Sequence, residues 1–237
     1  MKKITLSIAL LLLLLSSIPV EAQFTRSRGT SVINEAGSST VQIFKTEDVA
    51  GTPLYKDDFI RGKVVFNDNS TSETLLIDFD GFTQNIILKD GILYKLINLP
   101  EIKGFVFLDE DDKVNEFFSN GFDNPDLNIT PATFLKVIYN GDVKLVAHFS
   151  VIYRPANFRR DVGTSLSSEY DSELTYYIIN ENGEFKKTRL RSKNLINDLG
   201  NYKKELNGYV KRSGFKGKTD KEAALILKYY ETLKENS

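Results

Sequence analysis

The sequence predicts an α+β protein. A predominantly antiparallel β-meander forms a curved sheet, a sandwich or a barrel, with two to three C-terminal α-helices packed on it. Three observations carry this. Short apolar segments succeed one another from about Phe59 to Leu190. Asp80-Gly81, Asp90-Gly91, Asn120-Gly121, Asn140-Gly141 and Asn182-Gly183 punctuate them, and such dipeptides tolerate the positive φ of tight hairpin turns. After Arg191 the apolar spacing changes to a helical period.

In chain order, Met1-Lys2-Lys3 is a short positive region, Ile4–Leu15 is apolar with six consecutive leucines, and Ser16-Ser17-Ile18-Pro19 breaks the run before Val20-Glu21-Ala22. That is the layout of a secretory signal peptide, with cleavage expected after Ala22. An uncleaved anchor needs roughly 18 apolar residues, more than this run holds. No cysteine is present to carry a lipid at the new N-terminus, so the expected product is exported without a transmembrane anchor, to a periplasm or outside the cell. Residues 23–50, rich in Ser, Thr, Gly and Asn, read as a loosely ordered leader, with one candidate edge strand at Val41-Gln42-Ile43-Phe44.

Residues 51–190 read as the β-rich domain. Its expected strands are Ile60–Phe66, Thr74–Phe79, Gln84–Lys89, Ile92–Ile97, Ile102–Leu108, Glu116–Phe122, Phe134–Tyr139, Val143–Tyr153, Leu174–Ile179 and Glu184–Leu190. In the eighth, Val143, Leu145, Ala147, Phe149 and Val151 share one face, and His148 and Ser150 share the other. Ile102–Leu108 is apolar on both faces, as a strand covered on two sides must be. Residues 191–237 read as a helical segment docked on the sheet. Ser192 caps a first helix ended by Gly200, and Asn201 opens a second ended by Gly214 that carries Tyr202, Leu206, Tyr209 and Val210 on one stripe. Thr219-Asp220-Lys221-Glu222 is a capping box for a third helix bearing Ala223, Ile226, Leu227, Tyr230 and Leu233.

The strand order, with Val137-Ile-Tyr-Asn-Gly-Asp-Val-Lys-Leu145, Tyr176-Tyr-Ile-Ile-Asn-Glu-Asn-Gly183 and Lys186-Lys187, followed by basic helices holding Tyr229-Tyr230, resembles a loose group of exported β-rich bacterial proteins. The resemblance spans roughly residues 51–234. It implies a β-rich exported protein, and it transfers neither an activity nor a functional residue.

Composition narrows the chemistry. Without cysteine there are no disulfides, thiol nucleophiles or cysteine-built zinc sites. The 16 Phe and 11 Tyr must supply the large apolar surfaces that tryptophan does not. Charge is uneven: residues 184–237 hold 14 Lys/Arg against 7 Asp/Glu, whereas residues 23–183 hold 15 against 24. A basic tail can grip phosphate-bearing glycans, lipid headgroups or the acidic half of the chain. The lysines fall where amphipathic helices face water, so the expected reading is a solvated surface.

No residue is assigned a catalytic, cofactor-binding or metal-binding role, and no cofactor is expected. His148 is the single histidine, and no Gly-x-Ser-x-Gly elbow accompanies the Ser150 on its face. Asp109-Glu110-Asp111-Asp112 and Asp78-x-Asp80-Gly81 are oxygen-rich, but lack the calcium-loop pattern. Asp123-Asn124-Pro125-Asp126 is a turn by composition, and Arg154–Ser172 reads as a polar loop of unusual length. Asn69-Ser70-Thr71 and Asn128-Ile129-Thr130 matter only on a eukaryotic secretory route. Phe105, Phe107, Phe117, Phe118, Phe122 and Phe134 are dense enough to line a ligand cavity, but core packing is the expected use. The functional expectation is a non-enzymatic binding module of the cell envelope, its partner an envelope protein, a glycan or a small apolar ligand and not a nucleic acid. The alternatives are a carrier of an apolar ligand in a β-cavity and a carboxylate-dependent hydrolase.

Overall fold

Apolar alternation and turn residues organise an eleven-stranded, mostly antiparallel sheet that stays open. The computed structural model describes residues 49–56, 58–97, 100–156 and 167–236, all within one compact unit. The strands are β1 (Val49–Ala50), β2 (Ile60–Phe66), β3 (Leu75–Asp80), β4 (Asn85–Asp90), β5 (Leu93–Ile97), β6 (Ile102–Leu108), β7 (Val114–Ser119), β8 (Leu135–Asn140), β9 (Lys144–Arg154), β10 (Ser168–Ile179) and β11 (Phe185–Thr188). Their order is β1-β10-β9-β8-β7-β6-β2-β3-β4-β5, and β11 pairs with β10.

The expected meander is present as two meanders, β2 to β5 and β6 to β10. They are joined because β6 pairs with β2 rather than with β5. The signal segment and the candidate strand Val41–Phe44 lie outside the described residues. Within the expected leader, Val49–Ala50 forms β1, parallel to β10. The long polar loop is shorter than the composition suggests: Arg154 ends β9 and Ser168–Ser172 belong to β10, in register with β9 from Glu169↔Arg154 to Ile179↔Lys144. The dipeptide turns also divide. Gly91, Gly121 and Gly183 take the positive φ expected of them, but Gly81 and Gly141 do not. Gly81 is needed for closeness instead, since a Cβ there would meet the Phe149 ring and the Val151 methyl at 2.9 Å. The β3–β4 turn thereby presses on β9, and the curled sheet encloses a core.

That core follows from register. Val64, Phe105, Phe118, Lys136, Ala147 and Tyr176 are direct cross-strand partners in turn, so they form one row across six strands on one face. Beside the row stand Phe79, Phe107 and Phe149, with Tyr55 folded over them. The Phe118 ring stacks on Phe105 at 4.7 Å and meets Tyr55 at 5.0 Å, Phe79 at 5.6 Å and Phe107 at 5.9 Å.

The other half of this face carries the helices, α1 (Ser192–Leu199), α2 (Lys203–Ser213) and α3 (Asp220–Glu235). They bury Leu195, Ile196, Leu206, Ala223, Ile226, Leu227 and Tyr230 against Val143, Leu145 and Ile178. Helices this short need such docking to persist. The first helix is capped by Arg191 rather than Ser192, without a side-chain cap bond, and the second starts at Lys203 rather than Asn201, since Tyr202 takes a left-handed φ of 53° at its cap. The capping box is half formed: Thr219 Oγ1 accepts from Glu222 N, but the Glu222 carboxylate accepts from the amides of Lys216 and Lys218.

Candidate functional site

Titratable groups converge at the seam between the aromatic half and the helical half. Lys136, the one charged member of the cross-strand row, is only 7% exposed. Its Nζ lies 2.5 Å from Glu116 Oε1 and 2.7 Å from Asp220 Oδ2, and it donates to the Tyr55 hydroxyl at 3.2 Å. Lys56 Nζ approaches the other Glu116 oxygen at 2.5 Å, and Tyr55 donates to Glu116 Oε1. Burial pushes the Glu116 carboxyl up, but bonds from Lys136 and Lys56 outweigh it and hold the group below its ordinary value. Burial likewise pulls the Lys136 ammonium down, and the bonds to Asp220 and Glu116 raise it above the usual lysine range. The Tyr55 hydroxyl is pushed up to about 12, chiefly by burial. Glu116 and Lys136 are thereby held charged and Tyr55 protonated at neutral pH, so the cluster is a fixed ion network. It ties β7 and β8 to the first turn of α3. At the far end of that helix Glu231 accepts from the Tyr139 hydroxyl at 2.5 Å and from Val143 N at 2.9 Å.

Asp78 is different. It is fully buried, its Oδ1 accepts from the amides of Phe79 and Lys56, and its Oδ2 has no hydrogen-bond partner among the described residues. Burial pushes its carboxyl up to about 7, against a smaller opposing effect of the two amides. A carboxyl raised in the folded state stabilises the fold below its unfolded value near 4, and that stabilisation is lost as pH rises to about 7. His148 acts in the opposite sense, because burial lowers its imidazole and stability falls as pH drops below about 6.5. The two must therefore be separated by substitution. Between pH 8 and pH 5 the wild type is expected to gain about 3 kcal/mol relative to Asp78→Asn. Urea unfolding at both pH values measures it, and equal pH dependence in the two proteins would refute it.

Open space lies elsewhere. At one end of the sheet the links joining β3 to β4 and β7 to β8, with Pro100 ahead of β6, line a cleft of about 410 Å³, within the usual size of ligand sites. Its lining includes Gln84, Asn85 and Asn120 beside Pro100, Pro131 and Phe134, and none of the described lining residues is charged. Gln84, at a left-handed φ of 57°, fastens the walls. Its Nε2 donates to Gly81 O at 3.0 Å and its Oε1 accepts from Phe134 N at 3.2 Å. Asn120 Nδ2 donates to Ile102 O. Gln84 and Asn120 thus hold the frame, while the Asn85 side-chain amide makes no hydrogen bond within the described protein and is available to a ligand.

The sequence candidates are placed as follows. His148 and Ser150 do share a face, with Thr175 and Glu173 directly across from them. The carboxylate of Glu173 accepts from Thr175 Oγ1 and pairs with Lys187, and no hydrogen bond joins His148 to Ser150 among the described residues. The acidic run is a turn whose Asp109 carboxylate accepts from the amides of Asp111 and Lys113, while Asp111 pairs with Lys113 and Asp112 with Arg61. Asp80 accepts from Phe82 N and Thr83 N, apart from the task of Asp78. Asn124 caps the short 3-10 turn Pro125–Leu127. Phe105, Phe107, Phe118 and Phe134 pack ring against ring, Phe122 joins a separate cluster with Ile129 and Tyr177, and Phe117 is half-buried on the opposite face of β7. The six thus fall in three different places among the described residues. Among the described residues no group of three His, Cys, Asp or Glu is placed to hold a metal ion, and no helix is long and apolar enough to cross a membrane.

No protein-family model, no curated protein and no solved structure matches this chain.

Proposed function

We propose that the protein is an exported, non-catalytic binding module of the cell envelope that takes an uncharged, hydrogen-bonding ligand of glycan type into the cleft around Asn85 and Asn120. One observation carries this reading: a recess of ligand size lined by amide side chains beside proline and aromatic surface, with no charged group among the described lining residues. Amides both donate and accept, as neighbouring hydroxyls on a sugar ring require, and flat apolar side chains cover the ring's own apolar faces. The three-part N-terminus supports export. An apolar carrier is less well supported, because the phenylalanines fill the space such a ligand needs. A hydrolase is less well supported too, because Glu116 and Asp220 are held together by Lys136, outside the cleft.

The test is an amide-resolved NMR titration with chitotriose and maltotriose as neutral glycan probes and octanoate as the apolar one. A neutral sugar is expected to shift the amides of Thr83, Asn85 and Asn120 saturably, and Asn85→Ala to weaken binding about threefold to tenfold, the effect of one neutral hydrogen bond. Octanoate shifting Phe105 and Phe118 instead would favour the carrier. No response of the cleft to either sugar would count against the proposal.

A further inference from the structure

A second recess lies among the helices, far in chemical character from the uncharged cleft. It measures about 570 Å³ and is lined by Arg191, Ser192, Lys193, Asn194, Phe215, Lys216 and Lys218. We infer that this recess is an anion site for a phosphoryl group, carried by a soluble phosphate ester or by a lipid headgroup.

Four cations converge on it, and none of the four enters an ion pair among the described residues. By contrast, Lys56, Arg61, Lys95 and Arg154 each lie against a carboxylate. Grouping four like charges with no carboxylate paired to their side chains costs stability through mutual repulsion, and an incoming anion offsets that cost. The recess is also built rather than accidental. Ser192 N donates to Lys216 O at 2.9 Å, which pins the 215–218 loop to the start of α1. Gly217, buried and at a φ of 64°, lets the loop come that close, because a Cβ there would meet Ser192 N at 2.5 Å. The Glu222 carboxylate accepts from the amides of Lys216 and Lys218, which fixes the two residues while leaving their ammonium groups without an acidic partner. Phe215 rests on the Tyr209 ring at 5.8 Å and gives the recess an apolar side. The Ser192 hydroxyl and the Asn194 side-chain amide make no hydrogen bond within the described protein, so neutral donors stand beside the cations.

A single Lys or Arg at a phosphate forms a charge-assisted hydrogen bond, the stronger kind. The Lys193→Gln/Lys216→Gln/Lys218→Gln variant is therefore expected to lose about tenfold or more in affinity. Its thermal midpoint without anion should stay at or slightly above that of the wild type, because these side chains carry no structural bond. The full chain is titrated with inorganic phosphate and glycerol phosphate by NMR, and co-sedimented with phosphatidylcholine vesicles with and without phosphatidylglycerol. Saturable shifts at Ser192 and Lys193, lost in the variant, support the site. Such shifts with no vesicle binding assign it to a soluble phosphate ester, and shifts with binding to the phosphatidylglycerol vesicles assign it to a headgroup. Vesicle binding without saturable shifts from either small phosphate would mean diffuse adsorption and overturn the inference. So would equal phosphate affinity in the wild type and the variant.

Discussion

Replacing Lys136 with methionine is expected to lower the stability of the fold by about 3–5 kcal/mol, the usual cost of removing one partner from a buried ion pair. The side chain keeps its length and its apolar stem, so little packing is lost. What disappears is the ammonium that Glu116 Oε1 approaches at 2.5 Å and Asp220 Oδ2 at 2.7 Å. Lys56 still reaches Glu116 at Oε2, which moderates the loss without cancelling it, since Oε1 then has only the Tyr55 hydroxyl. The Asp220 carboxylate is more exposed and can turn to water. Asp220→Asn should therefore cost only about 1 kcal/mol, in the range of an exposed pair. The decisive measurement is a cycle of urea unfolding on Lys136→Met, Glu116→Met and the double variant. If the network acts by mutual neutralisation, the double variant is more stable than the sum of the singles by at least 1 kcal/mol. Additivity would show that the two groups are solvated separately and that the seam is not a coupled unit. High salt should change the single-variant loss little, because buried pairs are weakly screened.

This network has a structural consequence for the helices. α3 is bonded at both ends, through Asp220 to Lys136 on β8 and through Glu231 to Tyr139 and Val143 around the β8–β9 turn. Apolar contact alone holds a helix to a sheet without fixing its axis, whereas two polar anchors about eleven residues apart fix it. α3 in turn supports α2, where the Tyr209 and Tyr229 rings stack at 4.2 Å. The loop that shapes the basic recess runs between these two helices, so its position depends on the same anchors.

The strands and helices were legible in the sequence because their signals are local. Ile60–Phe66 and Ile102–Leu108 appear at the expected residues, and the helix stops at Gly200 and Gly214 hold. The first half of β10 was not legible, since Ser168–Ser172 reads as polar loop. Its strand form comes from eleven consecutive partners on β9, a tertiary fact that outweighs weak β-propensity. The jump from β5 back to β2 has no local signature either. The site divides in the same way. Lys136 stands inside the apolar run Phe134-Leu135-Lys136-Val137-Ile138, a charge in a core strand that needs a partner, so the network was hinted at. Its partners on β7 and α3 were not. The cleft is assembled from links far apart in sequence, and Asn85 or Asn120 alone is an ordinary turn residue. In the basic tail, spacing alone reads the lysines as solvated faces. Gly217 and Glu222 bring Lys216 and Lys218 beside Arg191 and Lys193, and only the fold contains that closeness.

Phe118→Ala is expected to cost about 3–5 kcal/mol, at the top of the range for a phenylalanine cut back in a core. The ring has no exposed surface and touches four other rings, those of Phe105, Tyr55, Phe79 and Phe107. Three of those belong to strands β3 and β6, which backbone ladders on both sides prevent from collapsing inward. The space is therefore expected to persist as an apolar void, not to be refilled. Phe118→Leu should cost less, because it leaves a smaller void in the same frame. The void offers a second readout. An apolar cavity of this kind stays dry and admits small apolar molecules, so benzene should raise the thermal midpoint of Phe118→Ala and leave that of the wild type unchanged. Stabilisation of the wild type by benzene would mean that the aromatic core already holds ligand space, and the carrier reading would then displace the surface cleft. A loss below about 1 kcal/mol in Phe118→Ala would instead mean that β6 and β7 close over the gap, and that the stacked rings do not set the curvature of the sheet.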